Sequence, residues 1–309
     1  MKKNVLVLGG NGFLGQNICE KFLAEGSAVT VFDVAPAHKE DNQIMYFKGC
    51  LDDETAVEEA VRGKDIIIHL ASATNPQRSM DEPITAYREI EYMQSLCSIC
   101  SKQGIKRIVF ASSGGTVYGD RGTKNKPISE TCATYPKNNY AIAKLAMERV
   151  LLMYNEVYGM DNIILRISNP YGVGQNPGSR VGAVTVFADH ILRGVPLHLF
   201  ACKHYVRDYV DIHDVVDAFY LAAGWKRQKG ILPLFNIGSG KGISMGELVQ
   251  LICETLNKEA VVNYEEPRLF DVSYNVLNVE KARKYLRYIP KSNELDAIKK
   301  YVLSFVSTV

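Results

Sequence analysis

Tyr140 and Lys144 stand four residues apart in Tyr140-Ala141-Ile142-Ala143-Lys144, and a helix would bring both side chains to one face. An ammonium held beside a phenol stabilises the phenolate and draws the hydroxyl pKa down. A tyrosine so tuned can give and take a proton near neutral pH. Hydroxyls able to bond the same centre lie just upstream in Ser112-Ser113-Gly114-Gly115-Thr116, where Ser113 and Thr116 are the two candidates. In a chain with 17 tyrosines the pair would carry little weight alone.

Its setting is what gives it meaning. Residues 3–8 read as a short apolar strand, Gly9-Gly10-Asn11-Gly12-Phe13-Leu14-Gly15 follows at once, and residues 16–25 carry Ile18, Phe22 and Leu23 at helical spacing before Gly26. A second apolar run, Ala28-Val29-Thr30-Val31-Phe32, ends in Asp33. Strand, glycine turn, helix, strand and acid in this order describe a dinucleotide site. Gly9 and Gly10 permit the sharp turn, Gly12 lets amides approach a pyrophosphate, and Gly15 allows close helix packing. Gly9, Gly12, Phe13, Leu14 and Gly15 therefore form the candidate phosphate cradle, at a helix N-terminus whose free N–H groups favour anions. Asp33 can accept both ribose hydroxyls of an adenosine and would repel a 2'-phosphate, which favours NAD over NADP.

Strand and helix then alternate. Strands are expected at 44–47, 64–70, 105–111 and 162–167, with a helix opening at Asp52-Asp53-Glu54-Thr55 and long helices over 83–103 and 139–158. Such alternation predicts an α/β protein with a Rossmann-type doubly wound parallel sheet. From Asn169 onward glycine and proline become dense and the apolar runs shorten, so a smaller mixed α/β C-terminal region for substrate is expected. The dinucleotide-binding domain is placed at 1–168, with 205–232 returning to it, and the substrate-binding region at 169–204 and 233–309.

The 309 residues suffice for a full core, and 47 % hydrophobic with 23 % charged residues is ordinary for a globular protein. A net charge of +2 without a basic run argues against nucleic acid or a membrane surface as partner. No apolar run approaches the roughly 20 residues needed to span a bilayer, and the N-terminus enters its strand directly, so a cytoplasmic protein is expected. Cys97 and Cys100 superficially suggest a redox or zinc half-site, but they fall within a helical apolar pattern and no second pair faces them. Core packing is the better reading, and with six scattered histidines no metal is expected.

With these pieces assembled, the chain resembles the extended short-chain dehydrogenases/reductases, in particular the NAD-dependent sugar epimerase/dehydratase family. The similarity runs nearly end to end. It rests on the glycine turn, His69-Leu70-Ala71, Ser112-Ser113-Gly114-Gly115-Thr116-Val117-Tyr118-Gly119, Tyr140 with Lys144, and Arg166-Ile167-Ser168-Asn169-Pro170-Tyr171-Gly172. Further on come Arg207-Asp208-Tyr209-Val210-Asp211, Phe235-Asn236-Ile237-Gly238-Ser239-Gly240, and Pro267-Arg268 with Asp271. The resemblance implies NAD as cofactor, with Leu51 and Asp52 framing the adenine and Leu70 and Ala71 also lining the cofactor site. It implies a nucleotide diphosphate sugar, a UDP-sugar foremost, as substrate. Asn169 then contacts the sugar nucleotide, and Arg207 and Arg268 bind the diphosphate, a role suited to guanidinium forks. Lys144 binds the nicotinamide ribose and tunes Tyr140; Asp208 and Asp211 hold their loop. The resemblance also implies a homodimer through the two long helices.

Three positions depart from the family pattern. Gly114 replaces the usual catalytic Ser or Thr, so the hydroxyl must come from Ser113 or Thr116. Glu89 stands where an asparagine is common. Ala201-Cys202-Lys203 replaces a glycine-acid-glycine turn. Dehydratases of the family carry an Asp-Glu pair where this chain has Gly115 and Thr116, leaving no carboxylate there for elimination. The expected reaction is 4-epimerisation by transient oxidation at C4. A nucleotide-sugar dehydrogenase, ketoreductase or dehydratase and a non-catalytic NAD-binding regulator stay open as alternatives.

Overall fold

A computed structural model describes residues 2–37, 41–120, 126–179, 181–200, 203–291 and 294–306. The first elements are β1 (Asn4–Leu8), α1 (Phe13–Ala24), β2 (Ala28–Asp33), β3 (Ile44–Lys48), α2 (Glu54–Val61) and β4 (Ile66–His69). They are followed by α3 (Arg78–Asp81), α4 (Pro83–Lys102), β5 (Ile108–Ser113), α5 (Asn139–Val157), β6 (Ile163–Ile167) and β7 (Asn169–Tyr171). Next come α6 (Ala183–Arg193), β8 (Leu197–Leu199), β9 (Val206–Arg207), β10 (Tyr209–Asp211), α7 (Ile212–Gly224) and β11 (Leu234–Ile237). The chain ends with β12 (Ile243–Ser244), α8 (Met245–Leu256), β13 (Val262–Tyr264), β14 (Tyr274–Asn275), α9 (Glu280–Leu286) and α10 (Glu294–Val306).

Seven strands form one parallel sheet in the order β11-β6-β5-β4-β1-β2-β3. β1 lies centrally, pairing in parallel with β2 on one side and β4 on the other. Val5 to Leu8 are wholly buried, as a strand covered by helices on both faces must be, and this accounts for their unbroken apolar run. The order reverses direction at β1, which puts the topological switch at the glycine turn. The Rossmann-type expectation therefore holds. No helix among the described residues is long and apolar enough to cross a membrane.

The chain divides into two compact units: Met1–Ser113, Asn138–Arg166 and Val216–Phe235 form the first, and Gly114–Lys137, Ile167–Val215 and Asn236–Val309 the second. Set beside the expected 1–168 and 205–232, these units put residues 114–137 and 167–168 in the second unit and Val216–Phe235 in the first. Each unit has its own core. The first packs Leu6, Leu8 and Ile67 of the sheet against Met93, Leu96 and Cys97 of α4 and Met147 and Leu151 of α5. The second packs Val184, Phe187 and Ile191 of α6 against Leu248 and Ile252 of α8 and Ile298 and Val302 of α10. Cys97 and Cys100 are fully buried core residues.

Candidate active site

In the first unit the chain leaves β1 through Gly9, whose φ of +82° lies in the left-handed region that favours glycine; an added Cβ would also fall 2.8 Å from Ala71 N. Gly15 is confined more tightly, since its Cβ would lie 2.4 Å from Gly9 O and 2.6 Å from Gly10 Cα. What Gly15 packs against is thus the turn itself. α1 begins at Phe13 rather than at residue 16, with Gly12 as its N-cap and no side-chain cap hydrogen bond. The first-turn amides of Phe13 and Leu14 are accordingly presented by a backbone turn that has no side chain in the way, a cradle that fits a pyrophosphate.

Asp33, the last residue of β2, accepts from Asn11 N at 2.9 Å through Oδ2 and from Ala35 N at 3.0 Å through Oδ1. These bonds aim the carboxylate beside the glycine turn. Leu70 N and Ala71 N both donate to Leu8 O, at 2.9 and 3.0 Å, which seats the chain after β4 against the same turn. Leu51 packs partly buried against the first core, and Asp52 is exposed just before α2, which Asp53 caps by accepting from Ala56 N at 3.0 Å. The cradle, the ribose acid and the Leu70-Ala71 segment fit a dinucleotide.

The Tyr140 neighbourhood lies in the same unit. α5 starts at Asn138, whose side chain accepts from Ala141 N at 2.8 Å, so Tyr140 occupies the first turn and Lys144 the second. Ser113 hydrogen-bonds Tyr140. Of the two candidate hydroxyls it is the one placed with Tyr140 in this unit; Thr116 belongs to the second unit, where its carbonyl accepts from Gly119 N. Lys144 is 2 % exposed, with Nζ 4.8 Å from the centroid of the Phe110 ring and 5.4 Å from that of the Tyr140 ring.

Burial pushes the Tyr140 hydroxyl well above its usual pKa, Glu89 pushes the same way, and the Ser113 hydrogen bond pulls against them. The Lys144 ammonium faces the Phe110 and Tyr140 rings, and burial depresses its own pKa against the opposing pull of Glu89 and Glu148. Glu89, on α4, accepts from Ser72 Oγ at 2.9 and 3.1 Å and from Ala73 N at 2.7 Å. His69 closes β4 beneath the site, edge-on to Phe110 at 5.5 Å, and burial followed by the charge of Lys144 lowers its pKa to about 3.

A buried network escaped the sequence reading. Glu148 accepts from Arg166 Nε at 2.9 Å, Arg166 Nη2 at 2.6 Å and Ser112 Oγ at 2.5 Å. Two signals pointed to it: Glu148 continues the Tyr140, Lys144 spacing by a further turn, and Arg166 is a charge inside an otherwise apolar strand.

The remaining candidates belong to the second unit. Asn169 Nδ2 donates to Asp208 O at 2.9 Å, and Asn169 pairs with Tyr209 where β7 runs parallel to β10. Asp208 is fully buried and accepts from Ser239 N and Ser239 Oγ, both at 2.8 Å, and from Leu277 N at 3.1 Å, so it ties three segments together. Gly114 is fixed through its backbone, donating to Ile167 O at 2.8 Å and accepting from Asn275 Nδ2 at 3.0 Å. Arg207 donates to Val206 O and its pKa is lowered by burial, against the pull of Tyr209 and Asp271. Arg268 pairs with Asp271 at 2.9 Å, and its guanidinium lies 4.8 Å from the Phe270 ring and 5.3 Å from the Phe200 ring. Both arginines thus share the field of one aspartate. Ala201 and Cys202 lie outside the described residues.

An uncapped helix at a glycine turn, an acid closing β2 and a Tyr-Lys pair on one helix face fit an NAD-dependent enzyme, and the chain belongs to the NAD dependent epimerase/dehydratase family, whose model matches residues 5–238. Among its relatives, a putative UDP-glucose 4-epimerase of Methanocaldococcus jannaschii is 30 % identical over 305 residues, covering 96 % of this chain and 97 % of the relative. A dTDP-4-dehydro-6-deoxyglucose reductase of Escherichia coli is likewise 30 % identical, over 98 % of each chain. The UDP-glucose 4-epimerase of Thermotoga maritima, solved with UDP-glucose, superposes with a TM-score of 0.91 at 32 % identity over 99 % of each chain.

Proposed function

We propose that this protein is a nucleotide-sugar 4-epimerase acting on a UDP-sugar. The observation that carries the reading is the Tyr140 hydroxyl bonded by Ser113 on the same helix face as the buried ammonium of Lys144. Tyr140 takes the proton from the sugar 4-hydroxyl oxygen and later gives one back; Ser113 holds that oxygen in line. NAD held by these residues would supply the reversible hydride transfer at C4, out to the nicotinamide and back to the other face of the sugar. Lys144 binds the nicotinamide ribose and lends its charge to the developing phenolate. Gly9, Gly12, Phe13, Leu14 and Gly15 hold the pyrophosphate, Asp33 the adenosine ribose, Leu51 and Asp52 the adenine, and Leu70 and Ala71 the adjoining stretch of cofactor.

In the second unit Asn169 is assigned to the sugar nucleotide, Arg207 and Arg268 to its diphosphate, and Thr116 to a supporting hydroxyl. The chain acts in the cytoplasm, a reading supported by free thiols at Cys19, Cys50, Cys97, Cys100, Cys132 and Cys253. It works as a homodimer through α4 and α5. Exposed apolar side chains at Ile84 and Tyr87 on α4 and Ile142, Met153 and Val157 on α5 support that face.

Proton NMR of the protein with UDP-glucose, UDP-galactose, their N-acetyl forms and UDP-glucuronate, with catalytic NAD, tests the assignment. Interconversion of C4 epimers without net nicotinamide reduction is expected. The reductase relative favours one second reading, a ketoreductase that exchanges its reduced cofactor every turnover. Stoichiometric change in nicotinamide absorbance would establish it instead.

A further inference from the structure

Four charged side chains gather around the Tyr140 helix in the first unit. Lys144 and Glu148 are each 2 % exposed, Arg166 is 3 % exposed and Glu89 7 %. Glu148 engages Arg166 through both carboxylate oxygens, so its charge is largely answered there and its pull on Lys144 is the smaller of the two. Glu89 is the principal counter-charge of Lys144. Its hydrogen-bond donors among the described residues, Ser72 Oγ and Ala73 N, are both neutral. Helix packing fixes where it stands: Glu89 lies on the buried stripe of α4 with Ala86 and Met93, and Met93 shares the first core with Met147, which follows Lys144 on the buried stripe of α5.

A buried ammonium without a counter-charge gives up its proton rather than stay charged. We propose that the Glu89 carboxylate is the counter-charge that keeps Lys144 protonated and restrains ionisation of Tyr140, making Glu89 the positioning residue that sets the pH range of the reaction. The proposal rests on the reading of Tyr140 as the acid and base. A negative charge here favours the lysine cation and disfavours the tyrosine anion, so both titrations move to higher pH.

The other groups facing the site leave this assignment in place. From β4, His69 is neutral at working pH; from β5, Ser113 bonds Tyr140; from α5 and β6, Glu148 is paired with Arg166 and pulls on Lys144 less than Glu89 does. From α3, Arg78 donates to Ala73 O at 3.1 Å but is paired with the exposed Glu82 at 3.0 Å. From α2, Glu54 accepts from Ser95 Oγ at 2.5 Å.

Glu89→Gln removes the charge while keeping the size and an oxygen that can accept from Ser72 and Ala73. With carbon-labelled lysine, the Lys144 NMR signal, assigned by its loss in Lys144→Met, is expected to titrate about one pH unit lower in Glu89→Gln. The pH profile of kcat/KM for sugar interconversion is expected to move in the acid direction by a similar amount, while Glu89→Asp keeps both near wild type. An unmoved Lys144 titration, or a rate lowered equally at every pH, would overturn the proposal. Should Glu89→Gln not fold, Glu89→Asn removes the same charge and carries the same test. The lysine titration needs no sugar, so a wild-type protein that converts none of them would sink the epimerase reading and leave this one to be decided separately.

Discussion

Glu148 on α5 and Arg166 on β6 meet in a two-pronged ion pair, 2.9 and 2.6 Å long, with both side chains out of solvent. Ser112 adds a third bond to the same carboxylate, immediately before the serine that bonds Tyr140. α5 therefore grips the end of β5 at two consecutive residues, once through Glu148 and once through Tyr140. The arrangement is a scaffold for Tyr140. Breaking such a pair leaves a buried, uncompensated charge, which costs far more than the pair itself contributes.

Glu148→Ala is accordingly expected to destabilise the protein by about 3–5 kcal/mol, read from urea unfolding. The double replacement Glu148→Leu with Arg166→Met should recover much of that loss, because no charge is then stranded. If the single variant lost less than about 1 kcal/mol, the pair would have to be reached by water, contrary to its burial.

Tyr140→Phe deletes one hydroxyl and leaves the ring beside Lys144. Proton transfer in the transition state should then fail, with a loss of about 100-fold or more in kcat at unchanged fold. A variant retaining more than about a tenth of the wild-type rate would show that another group handles the proton.

How legible was this site in the sequence? The glycine turn, the acid closing β2 and the Tyr140/Lys144 spacing were readable because each is a local relation whose physics is contained in a few neighbouring residues: a left-handed φ at Gly9, a Cβ-free approach at Gly15, two side chains one helical turn apart. The Glu148–Arg166 pair was not, since it joins a helix to a strand and only the parallel crossover brings them together. The true start of α1 was also missed. Gly15 is a poor helix former, yet here the turn packs on it so closely that no other residue would fit. The place of residues 114–137 in the second unit depends on long-range contacts, among them the bond from Asn275 to Gly114 O. Glu89 was visible as an odd residue, but its effect on Tyr140 and Lys144 required the packing of α4 on α5.

His69 makes acid stability testable. Burial and Lys144 hold its pKa at about 3, against about 6.5 in an unfolded chain. A depressed folded-state pKa means that the unfolded chain binds the proton first. The stabilisation is complete above pH 6.5 and declines as pH falls toward 3, by up to about 1.4 kcal/mol per pH unit. Between pH 7 and pH 5 this group alone should remove about 2 kcal/mol of unfolding free energy. His69→Leu should show that much less acid sensitivity in urea titrations at the two pH values. Equal slopes for the two proteins would mean that His69 is protonated without opening the fold.

Arg268 tests the diphosphate assignment. Its guanidinium lies against the Phe200 and Phe270 rings, and Asp271 takes both its backbone N–H and its Nε. The head is therefore held in one orientation before any anion arrives, which reduces the ordering cost of binding. Lysine would keep the charge but lose the planar fork and the stacking. Because a diphosphate remote from C4 is gripped alike in ground and transition states, Arg268→Lys should raise KM by about tenfold or more while kcat changes little. Calorimetry with UDP alone should show the same loss of affinity, since the sugar plays no part in that contact. If UDP bound Arg268→Lys as tightly as wild type, the guanidinium would belong to the loop and its aspartate, and the diphosphate would depend on Arg207.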